Sequence, residues 1–298
     1  MHQIFLTFDL EYWFESLSTQ KYLHGDEQES LAFFIKKLLN LLVEKNASAV
    51  FFVTGKVLEQ ELETIRQIYL AGHEIAIHSL DHQPLWQKNK KTFATEIKVM
   101  KEKIFELTGK NPIGHRAVNF SLDQSTAWAL KVLSDSGLKY DSSLFPFHFP
   151  LFLLPMFKKQ LYGSKLNNFV PYNINLKNLS VDKNSVLKEF PISVFHFGKI
   201  KLPLTGGIYI RLIPWFVFKT LLKIKLRREP ACIHFHPFDF AKCLPNIKMP
   251  WPKKFIKYFN TKNTWKKLEY ILNKYQCISA EKYYYENTLN QPANRKYY

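Results

Sequence analysis

The sequence predicts an α/β protein built on a parallel sheet or barrel. Short apolar runs rich in β-branched and aromatic residues alternate with longer segments of helical period. Glycines follow several of the helical segments, and polar side chains follow the apolar runs. The 298 residues are 46% hydrophobic and 16% aromatic, which is enough to bury a sizeable core and argues against a disordered chain.

The strands are predicted where β-rich apolar runs end in glycine or polar residues. They comprise residues 4–8, 49–53, 74–77, 231–235 and 277–279. Every chemically interesting motif then lies at the carboxyl end of a strand, where α/β sheets and barrels assemble their sites.

The helices are predicted from apolar stripes and from glycine stop signals. They comprise residues 28–45, 57–71, 92–107, 124–134 and 264–275. The first has a stripe from Leu31 to Leu42, and Gly72, Gly109 and Gly137 close the next three.

The alternation weakens between residues 144 and 203, which are rich in Phe, Pro and Asn. We predict a single domain over residues 1–285 with an insertion at about 145–205, which would form part of a substrate groove. Residues 286–298 read as a polar tail.

The chain is strongly basic, with 42 Lys and Arg against 25 Asp and Glu, a formal charge of +17. Such an excess attracts acidic glycans, anionic lipid or nucleic acid, although solvated lysine-rich faces explain it equally well. No nucleic-acid-binding motif accompanies the charge, so nucleic acid is not an expected partner. The three cysteines have no repeated close spacing, which favours buried thiols in a reduced compartment.

Residues 208–228 are the most membrane-like segment. Arg211, Lys219, Lys223 and Lys225 interrupt it, so it cannot supply the roughly 18 uncharged residues of a spanning helix. A core-packing helix with a basic outer face is the favoured interpretation, and an amphipathic helix in a membrane interface is the alternative. Because the first strand starts at about residue 4, we expect no signal peptide. The expected location is cytoplasmic, either free or peripheral at the inner membrane.

His78 and His82 follow the strand at 74–77 and lie four residues apart. Imidazoles at this spacing can turn toward one point, and they are common ligands of zinc-like metals. The first strand ends in Asp9 and Glu11. Two histidines and a carboxylate, with coordination positions left open, are the composition of a catalytic rather than a structural metal site.

Three further polar segments end apolar runs: residues 114–120, 139–146 and 231–239. In order with the first strand and the histidine pair, they resemble the five motifs of the polysaccharide deacetylase family. This is the group with a NodB-homology domain (carbohydrate esterase family 4), and the chain is most similar to the branch associated with bacterial exopolysaccharide and surface-glycan genes. The resemblance covers about residues 1–145 and 205–280. It implies a distorted (β/α)7-type barrel.

The resemblance also implies a role for each matching residue. His78 and His82 match the metal-binding pair, and Asp9 matches the general base. Arg116 matches the arginine that orients this base. His236 matches the general acid, and Asp141 matches the carboxylate that tunes it.

The chain departs from the family pattern at Leu10, where most members have a second, metal-binding aspartate. Residues i and i+2 of a strand share a face, so Glu11 is the expected third ligand of the metal, most plainly a zinc ion.

Two assignments leave alternatives open. His234 shares a strand face with His236, but His236 is preferred as the acid because it stands at the strand exit before Pro237. Asp141 could equally be an ordinary turn cap. Asp239, where the family often has glutamate, is expected to support the site indirectly at best.

The predicted function is a metal-dependent hydrolase that removes an N-acetyl group from an amino sugar of a surface polysaccharide or its lipid-linked precursor. Its expected partners are therefore an N-acetylated glycan or lipid-linked sugar and an anionic membrane surface. The alternative is a catalytically silent glycan-binding domain of the same fold. An iron oxygenase would use two histidines and a carboxylate but would not require Asp9, Arg116 and His236 as well.

Overall fold

Strands and helices alternate along the computed structural model, which describes residues 2–20, 22–23, 30–147, 168–197, 200–240 and 247–289. The strands are β1 (Ile4–Leu10), β2 (Val50–Thr54), β3 (Glu74–Ser79), β4 (Gly114–His115), β5 (Tyr140–Asp141), β6 (Tyr172–Asn173), β7 (Lys188–Glu189), β8 (Val194–Phe197), β9 (Ile200–Pro203), β10 (Ala231–Phe235) and β11 (Cys277–Ile278). The helices are α1 (Leu17–Gln20), α2 (Ala32–Glu44), α3 (Gly55–Gln60), α4 (Leu62–Leu70), α5 (Lys90–Thr108), α6 (Trp128–Asp135), α7 (Gly207–Leu212), α8 (Trp215–Arg228), α9 (Trp251–Tyr258), α10 (Thr264–Lys274) and α11 (Ala280–Leu289).

The main sheet curls into a barrel. Its order is β10-β1-β2-β3-β4-β5-β7-β6, with β11 also paired to β1, and each neighbouring pair from β10 to β7 is parallel. Between β7 and β10 the ring is bridged by Ser193, whose N–H donates to the Cys232 carbonyl at 3.1 Å. The Cys232 N–H in turn donates to Ser193 Oγ at 2.7 Å. The predicted distorted (β/α)7-type barrel is confirmed.

Alternation along the strands separates two cores. In β1, Ile4, Leu6 and Phe8 pack outward against the helices, whereas Phe5 packs inside the barrel. The inner core also includes Val50, Phe52, Ala76, Tyr140, Phe190 and Cys232. These apolar side chains fill the lower part of the barrel. The polar residues at the strand ends therefore form a site that is closed on its inner side.

Gly114 is required by close packing inside the barrel. A Cβ at this position would lie 2.0 Å from Cζ of Tyr140. The Tyr140 hydroxyl donates to Glu74 Oε1 at 2.6 Å, which fixes the ring across the barrel floor.

Most predicted elements are present, with shifted boundaries. The predicted helix 57–71 is instead two helices, α3 and α4, separated at Glu61. The Glu61 carboxylate accepts a hydrogen bond from the Leu31 N–H at 2.7 Å and another from Thr64 Oγ1 at 2.7 Å. The break thus ties the start of α2 to α4, a contact that periodicity does not encode.

The predicted insertion contains a strand of the barrel. β7 pairs in parallel with β5, so Lys188–Glu189 belongs to the main sheet, while residues 148–167 lie outside the described residues. Of the predicted tail, residues 286–289 continue α11 and residues 290–298 are not described. We propose that residues 1–285 form one domain, because β10 and β11 both pair with β1.

Cys232 and Cys277 are buried free thiols, and Cys243 lies outside the described residues. Among the helices that the structure describes, none is long and apolar enough to cross a bilayer.

Candidate active site and metal centre

Polar side chains from β1, β3, β4 and β10 converge above the barrel core. Asp9 is on β1 and Glu11 follows it, His78 is on β3, and Arg116 follows β4. His236 comes directly after β10. The parallel sheet therefore brings to one rim residues that are up to 227 positions apart in the chain (236 − 9).

Glu11, His78 and His82 form a buried cluster whose ligand atoms all lie within 4.8 Å of one another. Glu11 Oε2 is 3.6 Å from His78 Nε2 and contacts His82 Nε2 directly. His82 has a backbone φ of +53°, a left-handed conformation that is unfavourable for a side chain with a Cβ and recurs at functional sites. This turn brings the second imidazole back toward Glu11.

Backbone carbonyls orient both imidazoles. His78 Nδ1 lies 2.8 Å from the Arg116 carbonyl oxygen, and His82 Nδ1 lies 2.9 Å from that of Glu15. A carbonyl only accepts, so each Nδ1 is the donor and each Nε2 faces the cluster. In the neutral imidazole this Nε2 carries the lone pair that can bind a metal ion. Metal-ligating histidines are held in this way.

The Glu11 carboxylate suits a cation. Burial works to raise the pKa of Glu11, but His82 and the hydrogen bonds from His78 and His82 hold that pKa well below its usual range. Despite burial, Glu11 raises the pKa of His82 to about 9, so this part of the site accommodates positive charge. Leu10, by contrast, is fully buried in the outer core, as strand alternation requires. The donor set and its orientation fit a divalent metal ion.

Asp9 is paired with Arg116. Arg116 Nη1 donates to Asp9 Oδ1 at 2.6 Å and to Thr7 Oγ1 at 2.9 Å, and its Nη2 donates to Ser142 Oγ at 2.8 Å. Its guanidinium also lies 4.2 Å above the Phe52 ring. Burial works to raise the pKa of Asp9, but the Arg116 charge leaves it lowered, so Asp9 is ionised at neutral pH.

His236 faces Asp9 from the other side of the site. Its Nε2 lies 3.9 Å from Asp9 Oδ2, and its side chain is 19% exposed. Its Nδ1 lies 3.2 Å from Asp239 Oδ2, an atom that also accepts the His236 backbone N–H at 2.9 Å. Burial opposes protonation, but the Asp239 hydrogen bond and the nearby carboxylates raise the pKa of His236 to about 9.

Asp239, which the sequence analysis expected to support the site indirectly at best, is the carboxylate that contacts His236 directly. It is completely buried, and its Oδ1 pairs with Arg211 Nε at 3.2 Å. Gly207 lies beside it, because a Cβ there would be 3.2 Å from Asp239 Oδ1. The signal that could have revealed it is the three-residue spacing of His236 and Asp239 across Pro237, which a short 3-10 turn (Pro237–Phe240) closes.

The structure does not place Asp141 beside His236, which corrects the expected tuning role. Tyr140 points into the barrel, so the next residue points outward. Asp141 Oδ1 lies 2.7 Å from His115 Nδ1 and accepts from Ser143 Oγ at 2.8 Å. Burial and the Asp141 charge raise the pKa of the neighbouring Glu189 carboxyl well above its usual range.

His234 is buried against the site without the carboxylate that His236 has. Its ring lies 5.0 Å from that of Phe120, and burial lowers the pKa of His234 to about 3. A Cβ on Gly206, which has a φ of +93°, would lie 2.3 Å from His234 Cε1. His234 is therefore a neutral packed ring, which favours His236 as the proton donor.

The fold and the site thus define an α/β barrel protein with a two-histidine, one-carboxylate centre at its strand ends. Residues 2–140 match the sequence model of the polysaccharide deacetylase family, and residues 153–285 match a domain of unknown function, DUF3473. Residues 2–140, just under half of the chain, thus carry the sequence pattern of the polysaccharide deacetylase family, and the predicted resemblance to that family is confirmed.

Two curated relatives match part of the chain. The peptidoglycan deacetylase of Helicobacter pylori is 32% identical over 111 residues, which is 37% of this chain and 36% of that protein. The peptidoglycan-N-acetylmuramic acid deacetylase PdaA of Bacillus subtilis is 29% identical over 77 residues, which is 26% of this chain and 29% of that protein. The matched segments thus span about a third of the length of these relatives.

A crystal structure shows the same fold over nearly the whole chain. A Mycobacterium smegmatis protein that is proposed to be a polysaccharide deacetylase superposes with a TM-score of 0.56 at 17% identity, covering 96% of this chain and 90% of that one. The carboxy-terminal half is therefore included in the shared fold.

Proposed function

We propose that the protein is a hydrolase that removes an N-acetyl group from an amino sugar, with the help of a divalent metal ion. The observation that carries this proposal is the meeting, on one rim, of an ionised carboxylate, a protonated imidazole and a ligand cluster. Amide hydrolysis needs activated water, a polarised carbonyl and a protonated leaving nitrogen, and each group suits one of these needs.

Asp9 is the proposed general base. Arg116 holds one carboxylate oxygen at 2.6 Å, which leaves the other, Oδ2, facing the open side of the site. Because the pKa of Asp9 is lowered, the carboxylate is ionised at neutral pH, and its Oδ2 can accept a proton from a water molecule. Arg116 balances the negative charge that Asp9 carries before it accepts the proton.

His236 is the proposed general acid. With Nδ1 turned to Asp239, its Nε2 points into the site and holds a proton at neutral pH. It can give that proton to the amine nitrogen as the carbon–nitrogen bond breaks. Asp239 keeps the ring oriented and stabilises its charged form, and Arg211 fixes Asp239 in turn.

Glu11, His78 and His82 would hold the metal, which we propose to be zinc, since two histidines and a glutamate form a known catalytic zinc set. A bound zinc ion supplies Lewis acidity, which polarises an amide carbonyl and lowers the pKa of a water molecule to ~7.

We further propose that the substrate is a surface polysaccharide or its lipid-linked precursor. The named activities of the curated relatives, on peptidoglycan, support an N-acetylated glycan as the substrate class. The net charge of +17 supports work at an anionic surface, and we place the activity on the cytoplasmic side of the inner membrane, where lipid-linked sugars are assembled.

The test measures acetate release from N-acetylglucosamine oligomers and from peptidoglycan fragments, alongside the metal content of the purified protein. We expect release by the untreated protein, loss after chelation, and recovery with zinc. Asp9→Asn should lower the rate at least about 100-fold while retaining the metal.

Metal-free protein that releases acetate at the full rate would contradict the metal-dependent mechanism. A protein that binds these glycans and retains zinc, yet releases no acetate from any of them, would support the silent glycan-binding alternative instead.

A further inference from the structure

One side of the molecule, close to the candidate site, carries large apolar side chains in contact with solvent. Leu212 is 45% exposed, Phe216 70%, Trp251 74% and Phe259 36%. These four residues are called the apolar strip below. Single exposed apolar residues are ordinary, but a contiguous group marks an interaction surface.

Hydrogen bonds between α7 and the end of α9 hold two parts of the strip together. Arg211 Nη1 donates to the carbonyl oxygens of Lys257 at 3.2 Å and Phe259 at 2.7 Å. Asn260 Nδ2 donates back to the Arg211 carbonyl at 3.0 Å. These bonds set Leu212 beside Phe259.

A ladder of rings extends the strip along α9. The Trp251 and Phe255 ring centroids are 5.6 Å apart, and those of Phe255 and Phe259 are 4.6 Å apart. At the other end, Phe216 lies in the first turn of α8, two residues after Pro214. Exposed apolar side chains thus lie along α9, at the end of α7 and at the start of α8.

The two chain segments that form the strip contain no acidic residue. Residues 205–228 and 247–268 have neither Asp nor Glu. Their exposed basic residues are Lys223, Arg227, Arg228, Lys248, Lys262 and Lys266, whereas Arg211, Lys225, Lys257 and Lys267 are buried. Lys248 and Lys262, which are exposed, flank α9 on both sides. The charge that these two segments bring to the surface is therefore entirely positive.

This surface lies next to the mouth of the site. Lys257 Nζ donates to the Trp13 carbonyl at 2.8 Å and to Thr19 Oγ1 at 3.0 Å, which ties α9 to the loop that follows Glu11. The same ammonium lies 5.1 Å from the ring of Phe238, and that ring stacks on His236 with centroids 4.7 Å apart. One layer of side chains separates α9 from the proposed acid.

We propose that the apolar strip and the exposed basic residues of these segments dock the protein on an anionic lipid bilayer, with the site opening beside the membrane surface. Tryptophan and phenylalanine side chains enter the headgroup region of a bilayer, and lysines there meet anionic lipids. A soluble polyanion would engage the lysines but would leave the four apolar side chains in water. Only the purpose of this docking, which is access to a lipid-linked sugar, rests on the proposed function.

The experiment is flotation of the full chain with vesicles of phosphatidylcholine, with and without phosphatidylglycerol. We expect binding to the anionic vesicles that weakens as salt rises. The double variant Phe216→Ser/Trp251→Ser should lower the partition coefficient at least tenfold at low salt. Phe33→Ser, a matched variant of an aromatic residue that is 83% exposed on α2, should leave it unchanged.

Binding of the double variant equal to that of the wild type would overturn the proposal. An equal fall of the partition coefficient in the Phe33→Ser variant would also overturn it. So would competition by polyglutamate that removes the wild type and the double variant from vesicles to the same degree, because charge alone would then explain the binding. Both altered side chains are exposed, and an unchanged Tm verifies folding. The assay contains no sugar, so a failed deacetylase assay leaves its result intact.

Discussion

Exchanging Asp239 for asparagine tests whether this carboxylate, rather than Asp141, controls the proposed acid. Asparagine keeps an oxygen 3.2 Å from His236 Nδ1 but removes the charge. A hydrogen bond to a charged partner contributes about 1.5–3 kcal/mol, against about 1 kcal/mol for a neutral one. The difference of roughly 1.5 kcal/mol predicts about a tenfold lower kcat/KM for Asp239→Asn.

The pH profile gives a second readout that a purely structural role would not move. Asp239 raises the pKa of His236 to about 9, and an acid works only while it is protonated. Removing the charge lowers that pKa, so the alkaline fall in activity should begin at lower pH. Asp239→Glu, which restores a carboxylate, should recover most of the activity.

Asp141→Asn is the matched control, because it removes a carboxylate that is equally buried but bonded to His115. Acetate release should fall less than twofold in this variant once the folded fraction is equal. A larger loss for Asp141→Asn than for Asp239→Asn, with both proteins folded by circular dichroism, would refute the assignment of Asp239.

Three further outcomes are expected. Glu11→Gln should weaken zinc binding about 100-fold, as expected from roughly 3 kcal/mol per ligand, in a competition titration with a chelating dye. The Glu15→Gln variant should bind zinc as tightly as the wild type, because Glu15 contacts His82 through its backbone carbonyl. Similar losses of zinc affinity in the Glu11→Gln and Glu15→Gln variants would count against a ligand role for Glu11. Arg116→Met leaves Asp9 buried without its partner and should lower the free energy of unfolding by about 3–5 kcal/mol in urea; a change below about 1 kcal/mol would be inconsistent with the pair. Burial raises the pKa of Glu74 to about 8, so the folded state holds a proton that the unfolded state releases near pH 4.5. Stability from this group is complete below pH 4.5 and is lost as pH rises toward 8, by up to about 1.4 kcal/mol per pH unit, and Glu74→Gln should flatten that slope in unfolding curves measured across this range.

The alternation of strands and helices could be predicted from local patterns, whereas the barrel was implied by the family resemblance. Local patterns also predicted that Glu11, His78 and His82, which lie together in the structure, stand at strand ends. Apolar runs and helical stripes repeat along the chain, and the prediction that Glu11 rather than Leu10 faces the histidines follows from strand alternation alone. The pairing of Asp9 with Arg116 needed the family resemblance. No spacing rule joins residues 107 positions apart.

Asp141 and Asp239 show where such reasoning ends. β5 is only two residues long, so periodicity could not establish which of Tyr140 and Asp141 faces the barrel interior. The Tyr140 ring, packed above Gly114, decides the matter in three dimensions. The proposed role of Asp239 depends on a short turn after His236 and on Arg211 in a separate helix. No single segment of the sequence could predict this combination.

The position of β1 between β2 and β10 has a consequence for biosynthesis. Because β1 precedes β10 by more than 200 residues, its edge toward β10 stays open until residues 231–235 have left the ribosome. An open edge with the composition Ile-Phe-Leu-Thr-Phe invites pairing with other chains. We therefore expect truncated products that stop before β10 to aggregate. The late pairing of β10 with β1 both covers this edge and brings His236 opposite Asp9.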